Sequence, residues 1–142
     1  MNHMLVLDTN HFSELDRATN AGAVLREQLQ GAEEAKAVTV VTAEEVMRGW
    51  LAHVHAHRDG SQAVEAYRRF QAGLLALGKW NVLPWTNAAA ERFRDLRVLR
   101  TRIGPMDLRI ACIALAHGAT LLTRNVADFQ QVPGLRVENW LD

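Results

Sequence analysis

Short apolar runs alternate along this chain with stretches of helical periodicity, and that alternation restricts its fold more than any other feature. Met4-Leu5-Val6-Leu7 ends at Asp8. Ala37-Val38-Thr39-Val40-Val41, Asn81-Val82-Leu83-Pro84, Ala119-Thr120-Leu121-Leu122-Thr123 and the alternating Leu135-Arg136-Val137-Glu138 follow, with helical patterns between the first four. Runs that are apolar throughout read as strands buried on both faces. Strands separated by helices predict an α/β fold with a mainly parallel sheet covered on both sides. In such sheets ligands gather beyond the carboxyl ends of the strands. The 142 residues show no internal repeat and no linker, so one domain spanning 1–142 is expected.

Local signals place the helices. Thr9 or Asn10 is suited to cap a helix running through Phe12 and Leu15 to about Arg17, and Asn20-Ala21-Gly22 reads as a break. The next helix would put Val24, Leu25 and Leu29 on one face. Thr42 opens another, with Val46, Met47, Trp50 and Leu51 as its apolar side, and Arg58-Asp59-Gly60-Ser61 breaks it. A long helix from Ser61 to about Gly78 follows. Thr86 or Asn87 caps the next, through Phe93, Leu96 and Leu99. Gly104-Pro105 starts a helix that ends at His117-Gly118, and Arg124 to Gly134 reads mostly as turn and loop.

Three acids fall where this architecture would build a site. Asp8 follows the first strand, Glu45 lies in the first turn after the second, and Asp107 lies in the first turn after Gly104-Pro105. Asp128 or Asn125, just past the strand ending at Thr123, could join them. Carboxylates that converge without cysteine or histidine suit a hard cation, and Mg²⁺ takes oxygen ligands while keeping several waters. Such a site can activate water and stabilise in-line attack on phosphate. Each acid also has a structural reading. Thr42-Ala43-Glu44-Glu45 has the form of a capping box, Asp107 suits a helix dipole, and Asp8-Thr9-Asn10 could be an Asx turn; Asp8 nonetheless has no capping duty required of it.

The motifs around these acids resemble those of the PIN-domain family, and within it the VapC-type ribonuclease toxins of type II toxin–antitoxin systems. Leu7-Asp8-Thr9-Asn10 is similar to the family's opening motif. Thr42 to Gly49 resembles its second, Ile103 to Ala111 its third, Thr120 to Phe129 its fourth, and Gly134 to Trp140 resembles the tail of many VapC toxins. The resemblance covers nearly the whole chain. It implies an α/β/α sandwich, a Mg²⁺ or Mn²⁺ site built from Asp8, Glu45 and Asp107, cleavage of RNA by a metal-activated water, and a VapB-like antitoxin. It also suggests a second protomer and a larger toxin–antitoxin assembly. Some members carry an acid directly after the threonine of the fourth motif; here Asn125 and Asp128 are the nearby choices.

Thr9 and Thr123 could orient carboxylates or waters, with Asn10 and Asn125 beside them, or could serve only strand and cap chemistry. Gly49, one turn after Glu45, could leave room for packing or RNA. Arg92, Arg94, Arg97, Arg100 and Arg102 crowd the stretch before Asp107. Arg48, Arg102, Arg109 and Arg124 are the candidates to hold RNA phosphates, set against a solvated helix paired to Glu91 and Asp95. His53, His55 and His57 lack a matching third ligand for zinc, and His3 and His11 are unconvincing as ligands. Trp50, Trp80, Trp85 and Trp140 fit core or protein contact better than RNA stacking. Apolar positions from Phe12 to Leu29 and from Trp50 to Leu77 could belong to the core or extend beyond it, and the resemblance suggests an antitoxin segment and a second protomer to cover the excess.

Composition sets outer limits. Sixteen basic and sixteen acidic residues balance to zero formal charge, against binding nucleic acid by bulk charge alone. The single cysteine, Cys112, lies in an apolar run and reads as a buried hydrophobe. With no leader-like segment evident, a cytoplasmic protein with no membrane contact is expected. Two rivals to a toxin stand: a non-catalytic PIN-fold binding protein, and a housekeeping RNA-processing nuclease.

Overall fold

The computed structural model describes residues 3–98 and 102–142. Five strands form one sheet: β1 (Met4–Leu7), β2 (Ala35–Thr39), β3 (Asn81–Leu83), β4 (Thr120–Leu122) and β5 (Arg136–Glu138). Their order is β3-β2-β1-β4-β5 and every pairing is parallel, with Val6 opposite Ala37 on one side and Leu121 on the other. The helices are α1 (Thr9–Glu14), α2 (Asn20–Gly31), α3 (Val40–Ala56), α4 (Gly60–Leu77), α5 (Asn87–Arg97), α6 (Pro105–Ala116) and the short α7 (Val126–Phe129).

Strand alternation divides the core in two. Side chains on successive strand residues point to opposite faces. Leu5 and Leu7 therefore join Phe12, Leu25, Leu29, Val46 and Leu77 on one face, while Val6 joins Ile110, Ala111, Ile113, Leu121 and Phe129 on the other. Both faces are covered, which makes an α/β/α sandwich. Burying each of these large apolar side chains contributes about 1.5–3 kcal/mol.

Cys112 is one of the α6 residues sealed in the second layer. Burial pushes its thiol up to about 11, with Arg92 opposing the shift. Thiolate, not thiol, is the nucleophile. The native protein at pH 8 is therefore expected to resist a thiol reagent that labels it fully in denaturant; rapid labelling of the folded protein would show Cys112 to be accessible.

Several local expectations are corrected by tertiary contacts. The cap of α1 is Asp8 rather than Thr9 or Asn10, and the helix ends at Glu14, short of Arg17. Gly22 does not break a helix. It sits in the first turn of α2, which Thr19 caps, and a Cβ there would lie 2.5 Å from the Glu14 carbonyl oxygen and 2.9 Å from that of Arg17. Val24 is exposed and does not share the buried face of Leu25 and Leu29. The second strand is shifted toward the amino end, so α3 begins at Val40 with Thr39 as its cap. That removes the capping box: the Thr39 hydroxyl accepts the Thr42 amide at 3.1 Å, and Glu45 lies beyond the cap. The stretch expected to be turn and loop contains α7, a single turn. Leu99 and Arg100 lie outside the described residues.

Candidate active site

All strands point the same way, so their carboxyl ends share one rim. From β1 the chain winds outward to β2 and β3, then crosses back to place β4 on the other flank of β1. The order reverses at the β1–β4 boundary, the place where open α/β sheets bind their ligands. Asp8 stands there. Its backbone N–H donates to the Leu122 carbonyl at 3.0 Å, continuing the ladder between the two strands by one residue. Its side chain is buried, and Oδ1 accepts the His11 amide at 2.8 Å. Asp8 thus has the capping duty that sequence alone did not assign to it. The cap occupies Oδ1 and leaves Oδ2 for other partners.

Glu45 reaches the same rim from α3. Its Oε1 accepts the Thr9 hydroxyl at 2.6 Å, and the Thr9 and Thr42 hydroxyl oxygens lie 3.1 Å apart. The hydroxyl beside Asp8 therefore orients the carboxylate of Glu45, across 36 positions of sequence.

Asp107 is half-buried in the first turn of α6. Its carboxyl is raised above the ordinary value of 3.8, first by burial and then by the negative charges of Glu45, Asp8 and Asp128. Charges influence one another over roughly 10 Å at moderate ionic strength. The carboxylates of three separate segments, together with Asp128 of α7, therefore share one electrostatic neighbourhood.

Residues 5–135 match the family model described as PIN domain. The chain belongs to the PIN-domain family. A stretch of this PIN domain is 50% identical over 38 residues to a protein from Rickettsia felis named ribonuclease VapC2, covering 27% of this chain and 28% of that protein. Another is 40% identical over 68 residues to a tRNA(fMet)-specific endonuclease VapC of Salmonella typhimurium, covering 45% of this chain and 52% of that one. The chain thus aligns with about half or less of the length of these relatives. Its fold matches one chain of a crystal structure of VapBC2 from Rickettsia felis bound to a promoter DNA fragment, with TM-score 0.72 and 20% identity over 96% of this chain and 98% of that one.

The remaining candidate positions are distributed unevenly around this PIN site. Asp128 is half-buried and adds to the field on Asp107, whereas Asn125 is exposed and its backbone N–H donates to Thr123 Oγ1 at 3.0 Å. Of the two choices for the fourth position, Asp128 brings a charge that acts on Asp107, while the uncharged Asn125 could serve only through hydrogen bonds. The buried Thr123 hydroxyl is occupied by that turn, and Asn10 is exposed. Gly49 is exposed, and a Cβ added there would meet nothing within 4 Å, so packing does not require a glycine.

Three of the four candidate arginines are engaged by the protein itself. Arg48 pairs with Glu44 at 2.5 Å, Arg124 lies 3.4 Å from Asp142, and Arg109 stacks 4.5 Å from the centre of the Phe93 ring. Arg102 is exposed. The His53 and His57 rings lie 4.3 Å apart, but no third ligand joins them among the described residues.

The donor set decides what ion these acids fit. They offer oxygen only, and burial first, with the neighbouring negative charges after it, disfavours the ionised form of Asp107. Among the described residues, no three acidic, imidazole or thiol groups form a ready-made cage. An open all-oxygen cluster fits a hard cation that keeps much of its water and takes only one or two carboxylates directly, as Mg²⁺ does. It lacks the nitrogen and sulfur ligands that dominate zinc sites. The residue whose importance the sequence concealed is His11, fully buried against Asp8; a histidine inside a helix carries no local signal of such a contact.

Proposed function

We propose that this PIN domain is a divalent-metal-dependent endoribonuclease and the toxin of a VapBC-like pair. What supports the reading is the placement of Asp8 at the end of β1, of Glu45 held by the Thr9 hydroxyl, and of Asp107 in the first turn of α6, with Glu45, Asp8 and Asp128 adding to the burial that raises the Asp107 carboxyl. Asp8, Glu45 and Asp107 would hold Mg²⁺ or Mn²⁺, with Asp128 adding charge. When bound there, such an ion would supply Lewis-acid stabilisation of the phosphate charge and lower the pKa of a water. Asp8 contributes its carboxylate from a rigid cap, and Thr9 fixes the direction of Glu45. Attack by water on phosphorus breaks the bond to the 3′ oxygen, leaving a 3′-hydroxyl and a 5′-phosphate. The exposed Arg102 is free to meet backbone phosphate; Arg48, Arg109 and Arg124 would first leave their present partners.

An antitoxin would dock against α1, α3 and α4. A cavity of about 700 Å³ between α1, α3 and α4 is lined by Phe12, Val46, Trp50 and Phe70, with Arg17 and Arg69 at its border. Its mixture of apolar and charged lining, Asp16 as well as Arg17 and Arg69, suits an amphipathic antitoxin segment. Val64, Tyr67 and Leu75 lie exposed on α4, available to a second copy of the chain. No helix among the described residues is long and apolar enough to cross a membrane, which is compatible with cytoplasmic action.

The test uses the chain purified free of any partner. Because the Salmonella relative is named a tRNA(fMet)-specific endonuclease, that RNA is the first substrate to assay. Cleavage is expected with Mg²⁺ or Mn²⁺ and none in excess EDTA, with 5′-phosphate on the new ends. Undiminished cleavage in EDTA would defeat the mechanism. Tight partner binding with no cleavage of any RNA in Mg²⁺ would instead favour a non-catalytic binding protein.

A further inference from the structure

The imidazole of His11 is inaccessible to solvent and lies between Asp8 and the chain's closing segment. Its Nε2 accepts the backbone N–H of Trp140 at 3.2 Å. A backbone amide can only donate, so Nε2 must present a lone pair and the ring proton must sit on Nδ1. A doubly protonated ring would set two donors against each other. Nδ1 is the one buried side-chain polar atom without a hydrogen-bond partner among the described residues. It lies 3.3 Å from Asp8 Oδ1, within reach but off the hydrogen-bond line. That same oxygen already accepts the His11 backbone N–H at 2.8 Å.

We propose that His11 is a positioning residue for Asp8, its Nδ1–H holding Oδ1 from behind so that Oδ2 faces the other carboxylates. This rests on the reading of Asp8 as a metal-holding carboxylate. A buried donor left unpaired is costly, and a small rotation of the Asp8 carboxylate would align it. Hydrogen bonds behind ligating groups orient them in this way, and losing one typically weakens metal affinity about 10- to 100-fold. The Trp140 amide completes the device by selecting the tautomer. Trp140 is itself held in place: its indole N–H donates to Glu138 at 3.1 Å, and the next residue, Leu141, is buried with its amide donating to Asn139 Oδ1 at 2.9 Å. The carboxyl-terminal segment therefore reaches the acidic site through one imidazole ring.

Two measurements test this. Long-range ¹H–¹⁵N correlation on the histidine-labelled, unsubstituted protein is expected to show His11 neutral with its proton on Nδ1. A proton on Nε2, or a charged ring, overturns the proposal without any substitution. Second, Mn²⁺ affinity is measured by electron paramagnetic resonance for His11→Asn, whose amide N–H can stand where Nδ1–H does, and His11→Phe, which removes the donor. His11→Phe is expected to bind Mn²⁺ at least about tenfold more weakly and His11→Asn to recover most of the loss. Equal binding by folded His11→Phe and the parent overturns the proposal, and so does equal loss in both variants. Asp8→Asn is measured alongside. If it too binds Mn²⁺ as the parent does, the reading of Asp8 has failed; if it loses binding while His11→Phe does not, the role of His11 alone has failed.

Discussion

Asp107→Asn is expected to lower RNA cleavage by about a thousandfold or more, equivalent to roughly 4 kcal/mol of transition-state stabilisation, and at the same time to raise the melting temperature of the metal-free protein. The two effects have one cause. Burial and the charges of Glu45, Asp8 and Asp128 all oppose ionisation of Asp107. A metal ion relieves that opposition; without it, the negative charge works against the fold. The sign follows from linkage. Asp107 has a folded-state value above the ordinary 3.8, so its neutral form favours the folded protein below that value, and this contribution disappears as the pH rises through the raised one. At neutral pH the uncharged asparagine should therefore give the more stable metal-free protein. The difference from the parent should shrink as the pH falls toward 3.8. Mg²⁺ should reverse the order by stabilising only the parent. Asp8→Asn is the companion variant, because asparagine caps a helix about as well as aspartate and leaves α1 supported. Melting curves with and without Mg²⁺, read beside cleavage rates, check both halves. Parent-like cleavage by Asp107→Asn would remove this residue from the site. Parent-like stability across pH would mean that its charge is not opposed.

Gly22→Ala should destabilise the protein by about 3 kcal/mol, lowering its melting temperature by roughly 10 °C. The usual gain from alanine in a helix, about 1 kcal/mol, cannot offset the clash. The new methyl group would stand 2.5 Å from the carbonyl oxygen of Glu14, the last residue of α1, and 2.9 Å from that of Arg17 in the turn after it, and backbone cannot move aside as the tip of a side chain can. Gly49→Ala is the control of opposite sign. It lies in α3 with open space around the added carbon, so it should stabilise by about 0.5–1 kcal/mol. Thermal or urea unfolding of the two variants decides the matter. A Gly22→Ala protein as stable as the parent would show that α1 and α2 do not meet so closely.

Glu45 shows why part of the site is legible in the sequence and part is not. Its place one turn after a strand marks it as a rim residue, yet the same letters read equally well as a capping box. The ambiguity is resolved by where β2 ends: at Thr39 rather than Val41, so that Thr39 becomes the cap and Glu45 is left to meet Thr9. Strand ends are set by pairing with neighbours, and a run of β-branched residues such as Val38-Thr39-Val40-Val41 is compatible with several. Asp8 departs from expectation in the opposite direction. Nothing local requires it to cap a helix, and it proves to cap α1 with one oxygen.

The order and type of every element but α7, the parallel sheet and the acids that follow its strands were determined by the sequence itself, because apolar period and turn chemistry act within a few neighbouring residues. Which oxygen of Asp8 stays available, why Gly22 must lack a side chain and how His11 touches both Asp8 and Trp140 were decided only by the tertiary structure. Those contacts join residues up to 129 positions apart, and no local pattern records which atoms the packing of helices on a twisted sheet will bring together.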